Sequence, residues 1–147
     1  MATLECSWRA RAHDLARAYR QVRATTAALV APLSAEDMVA QSMPDASPTK
    51  WHLAHTSWFF ETFLLRPAGH APVDPDYEYL FNSYYNSVGQ QYPRPSRGLL
   101  TRPSVAAVMD YRRTVDERLL AWLADPAAPI EPAVLDLVEL GLHHEQQ

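Results

Sequence analysis

Apolar positions along this 147-residue chain recur at three- and four-residue spacings in four long stretches, and no stretch keeps the two-residue alternation of a half-buried strand. The first runs from about Leu4 to Val30, rich in Ala, Arg and Leu and free of Gly and Pro. Within it Leu15, Ala18, Tyr19, Val22 and Thr26 give one helix face its apolar character. Pro32 ends it, and Ser34-Ala35-Glu36-Asp37 can cap one short turn before the loop from Pro44 to Ser47. Ser47-Pro48 reads as a helix start, a hydroxyl N-cap followed by proline at the first helical position. The second helix then runs from Pro48 to about Leu65 and is stopped by Arg66-Pro67-Ala68-Gly69. Trp51, His55, Trp58, Phe59 and Thr62 share one broad face of it, flanked by His52, Phe60 and Phe63, so this helix is expected to be central.

Residues 70–103 form a long irregular stretch holding many of the prolines and the aromatic residues Tyr77, Tyr79, Phe81, Tyr84, Tyr85 and Tyr92. Such a loop in a compact domain is usually functional or covered by a partner, and 82–89 has the composition of a turn or short helix. Pro103 opens a third long helix to about Ala124, with Val105, Val108, Met109, Arg112, Val115, Leu119 and Trp122 in register; Asp125-Pro126 ends it. Pro132 starts a fourth, in which Leu135, Val138, Leu142 and Gln146 make one stripe while Asp136 and Glu139 take the solvent face. Four helices without strands predict an all-α, up-down four-helix bundle forming one domain over residues 1–147, with a long irregular loop between the second and third long helices.

Composition narrows the function classes. At 48% hydrophobic residues the chain can bury a real core and is not disordered. Its net charge of −4 and scattered arginines argue against a nucleic-acid groove. No apolar run reaches membrane-spanning length and no signal-peptide core stands at the N-terminus, so a cytoplasmic protein is expected. A single cysteine, Cys6, cannot form an internal disulfide and reads as a bystander.

The residues that change the picture are histidines. Trp51-His52-Leu53-Ala54-His55-Thr56 places imidazoles on the second helix, and His143-His144-Glu145-Gln146-Gln147 ends the fourth. Neutral imidazole is the commonest protein ligand for iron, zinc, copper and nickel, and facing helices of a bundle can converge on one ion. A second His one turn after His144, the arrangement that lets two imidazoles bind as a pair, would fall just past Gln147. Spacing alone leaves a hydrogen-bonded core His55 and a solvated terminal His pair as open alternatives.

Ser47-Pro48-Thr49-Lys50-Trp51-His52-Leu53-Ala54-His55-Thr56, followed by Trp58-Phe59-Phe60-Glu61, resembles the first metal-ligand helix of DinB-like domains. More specifically it resembles the N-terminal domain of the ergothioneine-biosynthesis sulfoxide synthases (EgtB type). The segments Leu80 to Gly89 and Arg94 to Leu100, Tyr111-Arg112 and His144-Glu145-Gln146-Gln147 are similar to that family too, so the resemblance spans most of the chain from Ser47 onward. It implies a mononuclear non-haem Fe(II) held by three histidines, of which the first falls on His55 and the second on His144 rather than His143. His52 is then a neighbour that makes a supporting hydrogen bond. The third ligand has no counterpart in these residues.

The resemblance also implies the reaction, in which hercynine (trimethylhistidine) is joined to a thiol, cysteine or gamma-glutamylcysteine, with O2, giving a sulfoxide. Family members carry a C-terminal domain related to formylglycine-generating enzymes, absent from this sequence. Two ligands of three and no second domain imply weak iron binding and little synthase activity for the chain by itself. Arg94 and Arg97 are candidate clamps for a substrate carboxylate, because guanidinium matches it with two parallel hydrogen bonds; ordinary surface arginines are the alternative. Tyr84 and Tyr85 are expected to pack the loop onto the bundle or the second domain. Two other readings stay open, a stand-alone DinB-like metal-dependent thiol transferase and a non-catalytic helical interaction module.

Overall fold

Four long helices form as the periodicity predicts, and the described residues contain no strand. The computed structural model describes residues 2–85 and 87–147, and of residues 2–7 the backbone alone, so the Cys6 side chain and Asn86 lie outside the described residues. Helix α1 spans Ala2–Val30 and the short α2 spans Ala35–Val39. Helix α3, Thr49–Phe60, runs without a break into a π-helical turn, Glu61–Leu65. Helices α4 (Tyr77–Phe81), α5 (Val105–Ala124) and α6 (Pro132–Gln146) complete the chain, with a 3-10 turn at Arg94–Leu99 before α5. No helix among the described residues is long and apolar enough to cross a membrane.

Helix α3 is the central element, packed against α5 on one side and α6 on another, while α1 lies along α6 and α5. Its girth explains the position, since Trp51, Leu53, Ala54, Trp58, Phe59 and Phe60 are all buried. The α2 cap forms as its residues suggest: Ser34 Oγ accepts from the Asp37 backbone N–H at 3.1 Å, and the Asp37 carboxylate accepts from the Ser34 N–H at 2.9 Å.

Two local expectations are corrected. Ser47 does not cap α3, because its hydroxyl accepts from Arg97 Nη1 at 2.9 Å and Pro48 occupies the cap position. Within 82–89 the expected turn forms, with Val88 N–H donating to the Tyr85 carbonyl at 2.9 Å, and the irregular stretch also holds a short helix at Tyr77–Phe81 that was not expected. Its aromatic residues supply the reason: Tyr77 and Phe81 point into the core, against Tyr111 and against each other. Finally, Gln146 is exposed, although the apolar spacing of α6 places it on the stripe. Leu135, Val138 and Leu142 do face the core, but the position three residues on, Glu145, turns inward in place of the one four residues on.

The stretch 70–103 is fastened to the bundle by hydrogen bonds that explain its order. Trp51 Nε1 donates to the Leu80 carbonyl at 2.8 Å, Lys50 Nζ to the Leu100 carbonyl at 2.7 Å, and Gln41 bridges the Arg94 carbonyl and the Gly98 N–H at 2.8 and 2.7 Å. Buried Glu61, at the π-helical turn, accepts from Val73 N–H at 2.7 Å and from Tyr111 Oη–H at 2.6 Å, tying the loop to α5. π-helical turns inside α-helices occur frequently at functional sites, and this one follows directly on the helix that carries His55.

Close approach of α6 to α3 depends on Gly141. A Cβ there would lie 2.4 Å from Phe60 Cε1, 2.7 Å from Phe60 Cζ and 3.0 Å from Phe59 Cε1. Gly141→Ala gains helix propensity of about 1 kcal/mol but overpacks against a buried ring, a change that costs about 1–3 kcal/mol. Urea unfolding is expected to show a net loss of stability. A variant as stable as the parent would mean that the Phe60 ring yields freely and does not set the helix separation.

Candidate metal centre and its pocket

The spacing of Trp51, His55 and Trp58 along α3 stacks three rings in a row. His55 lies between the two indoles, nearly parallel to both, with ring centroids 4.6 Å from Trp51 and 5.6 Å from Trp58. Its Nδ1–H donates to the Phe81 carbonyl at 2.6 Å. A carbonyl can only accept, so this bond fixes the tautomer and leaves Nε2 with a free lone pair. That lone pair faces His144 Nε2 at 3.1 Å, across the gap between α3 and α6. Phe59 packs against the His144 ring at 4.9 Å, whereas His143 is exposed.

Burial pushes the His55 imidazole down to about 3, against the opposing pull of the Phe81 carbonyl, and burial lowers His144 as well. Both rings are therefore neutral at pH 7, the form that ligates metals. Two imidazole nitrogens each about 2.0–2.1 Å from one ion, at angles between a right angle and the tetrahedral one, stand about 2.8–3.4 Å apart. The observed 3.1 Å separation meets that condition. His144 Nδ1 is buried without a hydrogen-bond partner, an arrangement that supplies no second bond to orient the ring. Among the described residues no group of three or more His, Cys, Asp or Glu side chains is arranged to hold an ion, so the pair accounts for two donors.

A cleft of about 700 Å³ opens beside the pair and is lined by His52, His55, His144, Tyr84, Arg94 and Arg97 among others. Arg97, read from sequence as a clamp or a surface residue, is only 2% exposed. Its guanidinium carbon lies 3.5 Å from the centre of the Trp51 ring, and its Nε has no hydrogen-bond partner. Arg94 is half-buried and covers the ring of Tyr84 at 4.6 Å. Among the described residues neither arginine is paired with a carboxylate. Burial pushes the Arg97 guanidinium down to about 10, with the Arg94 charge adding to the effect, so it stays cationic at pH 7. The cleft thus joins a lone-pair face to a cationic wall.

Tyr84 is 71% exposed and holds a left-handed backbone, φ 61°, which is uncommon for a side-chain-bearing residue. Tyr85 packs on the bundle against Phe63 and Trp58, with centroids 5.1 and 5.6 Å apart. The hydrogen bond that orients His55 comes from the Phe81 carbonyl and not from His52, which is exposed and packs edge-on against Trp51.

Sequence reasoning passed over the side chains beneath the histidines. The Glu145 side chain is 1% exposed and is gripped by two buried arginines: Arg23 Nη1 donates to one carboxylate oxygen at 3.0 Å and Arg112 Nη2 to the other at 2.9 Å. Arg23 Nε also donates to Asp116 at 2.7 Å, and Tyr19 Oη donates to the same Asp116 oxygen at 2.6 Å. Burial alone would raise the Glu145 carboxyl, but the charges of Arg23 and Arg112 overcome it and hold the group below the usual carboxylate range. Two guanidiniums and two carboxylates leave the cluster neutral. A signal existed for two of its members, since Arg112 stands within the apolar register of α5 and Glu145 three residues past Leu142 on α6.

A search of curated proteins finds no match to this chain. The family profile of the DinB superfamily does match, over residues 18–147, which takes in the His55 helix, the irregular loop and the His144 helix. The match takes in the later part of α1, the whole of α3, α5 and α6 and both site histidines, and the chain belongs to the DinB superfamily.

Proposed function

We propose that this domain is the iron-binding helical domain of a sulfoxide synthase of the ergothioneine type, joining hercynine to cysteine or gamma-glutamylcysteine with O2. The observation that carries the proposal is the meeting of His55 and His144, Nε2 to Nε2 at 3.1 Å, on the wall of a cleft that also holds Arg94 and Arg97. Bound Fe(II) supplies the redox chemistry that couples O2 to carbon–sulfur bond formation. His55 and His144 offer neutral lone pairs. Trp51 and Trp58 exclude water from the His55 ring. Arg97 and Arg94 take the carboxylate of the thiol substrate, which sets the sulfur toward the imidazole pair. The His55–His144 pair supplies two donors, so these 147 residues by themselves are expected to bind iron weakly.

Anaerobic calorimetry of the Fe(II)-loaded protein with cysteine, gamma-glutamylcysteine and hercynine tests the proposal. Arg97→Gln is expected to weaken thiol binding about 10- to 100-fold, the value of a hydrogen bond to a charged group lost from a desolvated site. Arg94→Gln is expected to weaken it less, since that side chain is half-buried. Thiol binding that ignores Arg97→Gln would sink the assignment. The superfamily match fits a metal-dependent thiol transferase equally well; that enzyme would use the same pair to hold a thiolate and would consume no O2. An oxygen electrode therefore separates the two, and a non-catalytic interaction module would bind neither metal nor thiol at the cleft.

A further inference from the structure

The two ligand helices meet across a buried strut. Arg112, on α5, donates from Nη1 to the Leu53 carbonyl at 2.8 Å and to Thr56 Oγ1 at 2.9 Å, two positions that flank His55 on α3. From Nη2 the same guanidinium donates to Glu145 at 2.9 Å, the residue after His144 on α6. Arg23, on α1, repeats the connection from the other side, with Nη2 to Ser57 Oγ at 2.7 Å on α3 and Nη1 to Glu145 at 3.0 Å. Both oxygens of Glu145 are thereby used, one by each guanidinium. A planar fork with fixed donor directions transmits position in a way that a flexible ammonium does not. These forks span from α3 to α6 next to the two imidazoles.

We propose that Arg112 is a positioning residue that sets the facing and spacing of His55 and His144, assisted by Arg23 through the shared carboxylate of Glu145. It touches neither imidazole and acts through Leu53, Thr56 and Glu145. The functional weight of the proposal rests on reading the histidines as a metal pair, whereas the spacing itself does not.

Arg112→Lys provides the test, because it keeps the charge that Glu145 needs but cannot reach α3 and α6 together. Thr56→Val is the companion variant. It keeps every charge and removes one anchor on α3, so it remains informative even where Arg112→Lys does not fold. Val138→Ala, which trims the buried face of α6 outside the strut, serves as the control for simple loss of stability. Two readouts are taken on each: Ni(II) affinity by calorimetry, against a His55→Ala/His144→Ala baseline, and the histidine ring-nitrogen NMR spectrum of the metal-free protein. Arg112→Lys is expected to weaken Ni(II) binding about 10- to 100-fold, as loss of an outer-shell partner does, and to shift the His55 and His144 ring nitrogens. Thr56→Val is expected to do both to a smaller degree, and Val138→Ala neither. Strut variants that match Val138→Ala in both readouts overturn the proposal. If the parent protein binds Ni(II) no better than the baseline, the metal reading falls. The ring-nitrogen spectra then decide the strut alone, a shift in the strut variants upholding it and no shift overturning it.

Discussion

Glu145→Ala is expected to be severely destabilising, lowering unfolding free energy by about 3–5 kcal/mol, the cost typical of breaking a buried ion pair by removing one partner. The Glu145 side chain is 1% exposed, and its loss leaves Arg23 with Asp116 alone and Arg112 with no carboxylate at all. The penalty comes from the stranded guanidiniums more than from any net attraction between the original charges. Glu139, four residues short of His143 on the same helix, provides the contrast. It pairs with Arg11 at 2.9 Å with half its side chain in water, and exposed pairs of that kind contribute little. Thermal unfolding is therefore expected to separate the two carboxylates, with Glu145→Ala lowering the midpoint by about 6–20 °C, taking about 2–4 °C per kcal/mol for a domain near this size, and Glu139→Ala leaving it nearly unchanged. Equal, small effects would mean that solvent reaches Arg112 and Arg23 and that the cluster is no more than a surface network.

Arginines in a core are what the hydrophobic pattern reads least well. The apolar spacing located the helices because burying one face of each is the dominant favourable term, and that term leaves a periodic trace. It located His55 for the same reason, as a member of the broad Trp51–Trp58 face of α3. Glu145 leaves only a weak one, its place three residues past Leu142 on α6. A carboxylate at a helix end next to Gln146 and Gln147 has the composition of solvent-facing helix, and its burial depends on two cations more than thirty and a hundred residues away in the chain. Arg23 is the same case on α1, where the apolar face drawn through Val22 and Thr26 passes beside it. Tertiary pairing of charges outweighs the local pattern at these positions. At Ser47 a long-range hydrogen bond to Arg97 likewise displaced the helix cap that local sequence favoured.

Arg97 illustrates a third kind of limit. Its sequence context, a proline-rich loop, is that of an exposed residue, yet Trp51 takes its guanidinium face and Gln41 fastens the neighbouring Gly98 N–H. The burial is built by side chains from α3 and from the segment after α2, neither of which is adjacent in sequence. Of the roles expected from residue type alone, that of an ordinary surface arginine fails at Arg97, because the side chain is buried and donates to Ser47 Oγ at 2.9 Å.

The second large effect expected is on metal binding, and it is specific to one member of a sequence-adjacent pair. His143 and His144 share composition and local context but point to opposite surroundings: His143 is exposed, and His144 meets His55 at 3.1 Å against Phe59. Substituting His143 removes an exposed imidazole outside the pair, so affinity should not change. Substituting His144 or His55 removes half of the donor pair, and the remaining ring cannot chelate. Because the His55 tautomer is fixed by the Phe81 carbonyl, its lone pair already points into the gap without reorganisation. Preorganisation of this kind is the physical basis for expecting binding at all from two ligands.

An anaerobic Fe(II) titration of the parent protein beside His55→Ala, His144→Ala and His143→Ala tests this account most directly. The expected result is weak, saturable binding of one equivalent by the parent and by His143→Ala, and none above background by His55→Ala or His144→Ala. Binding that survives in His55→Ala, or that is lost equally in His143→Ala, would contradict the placement of a metal between α3 and α6.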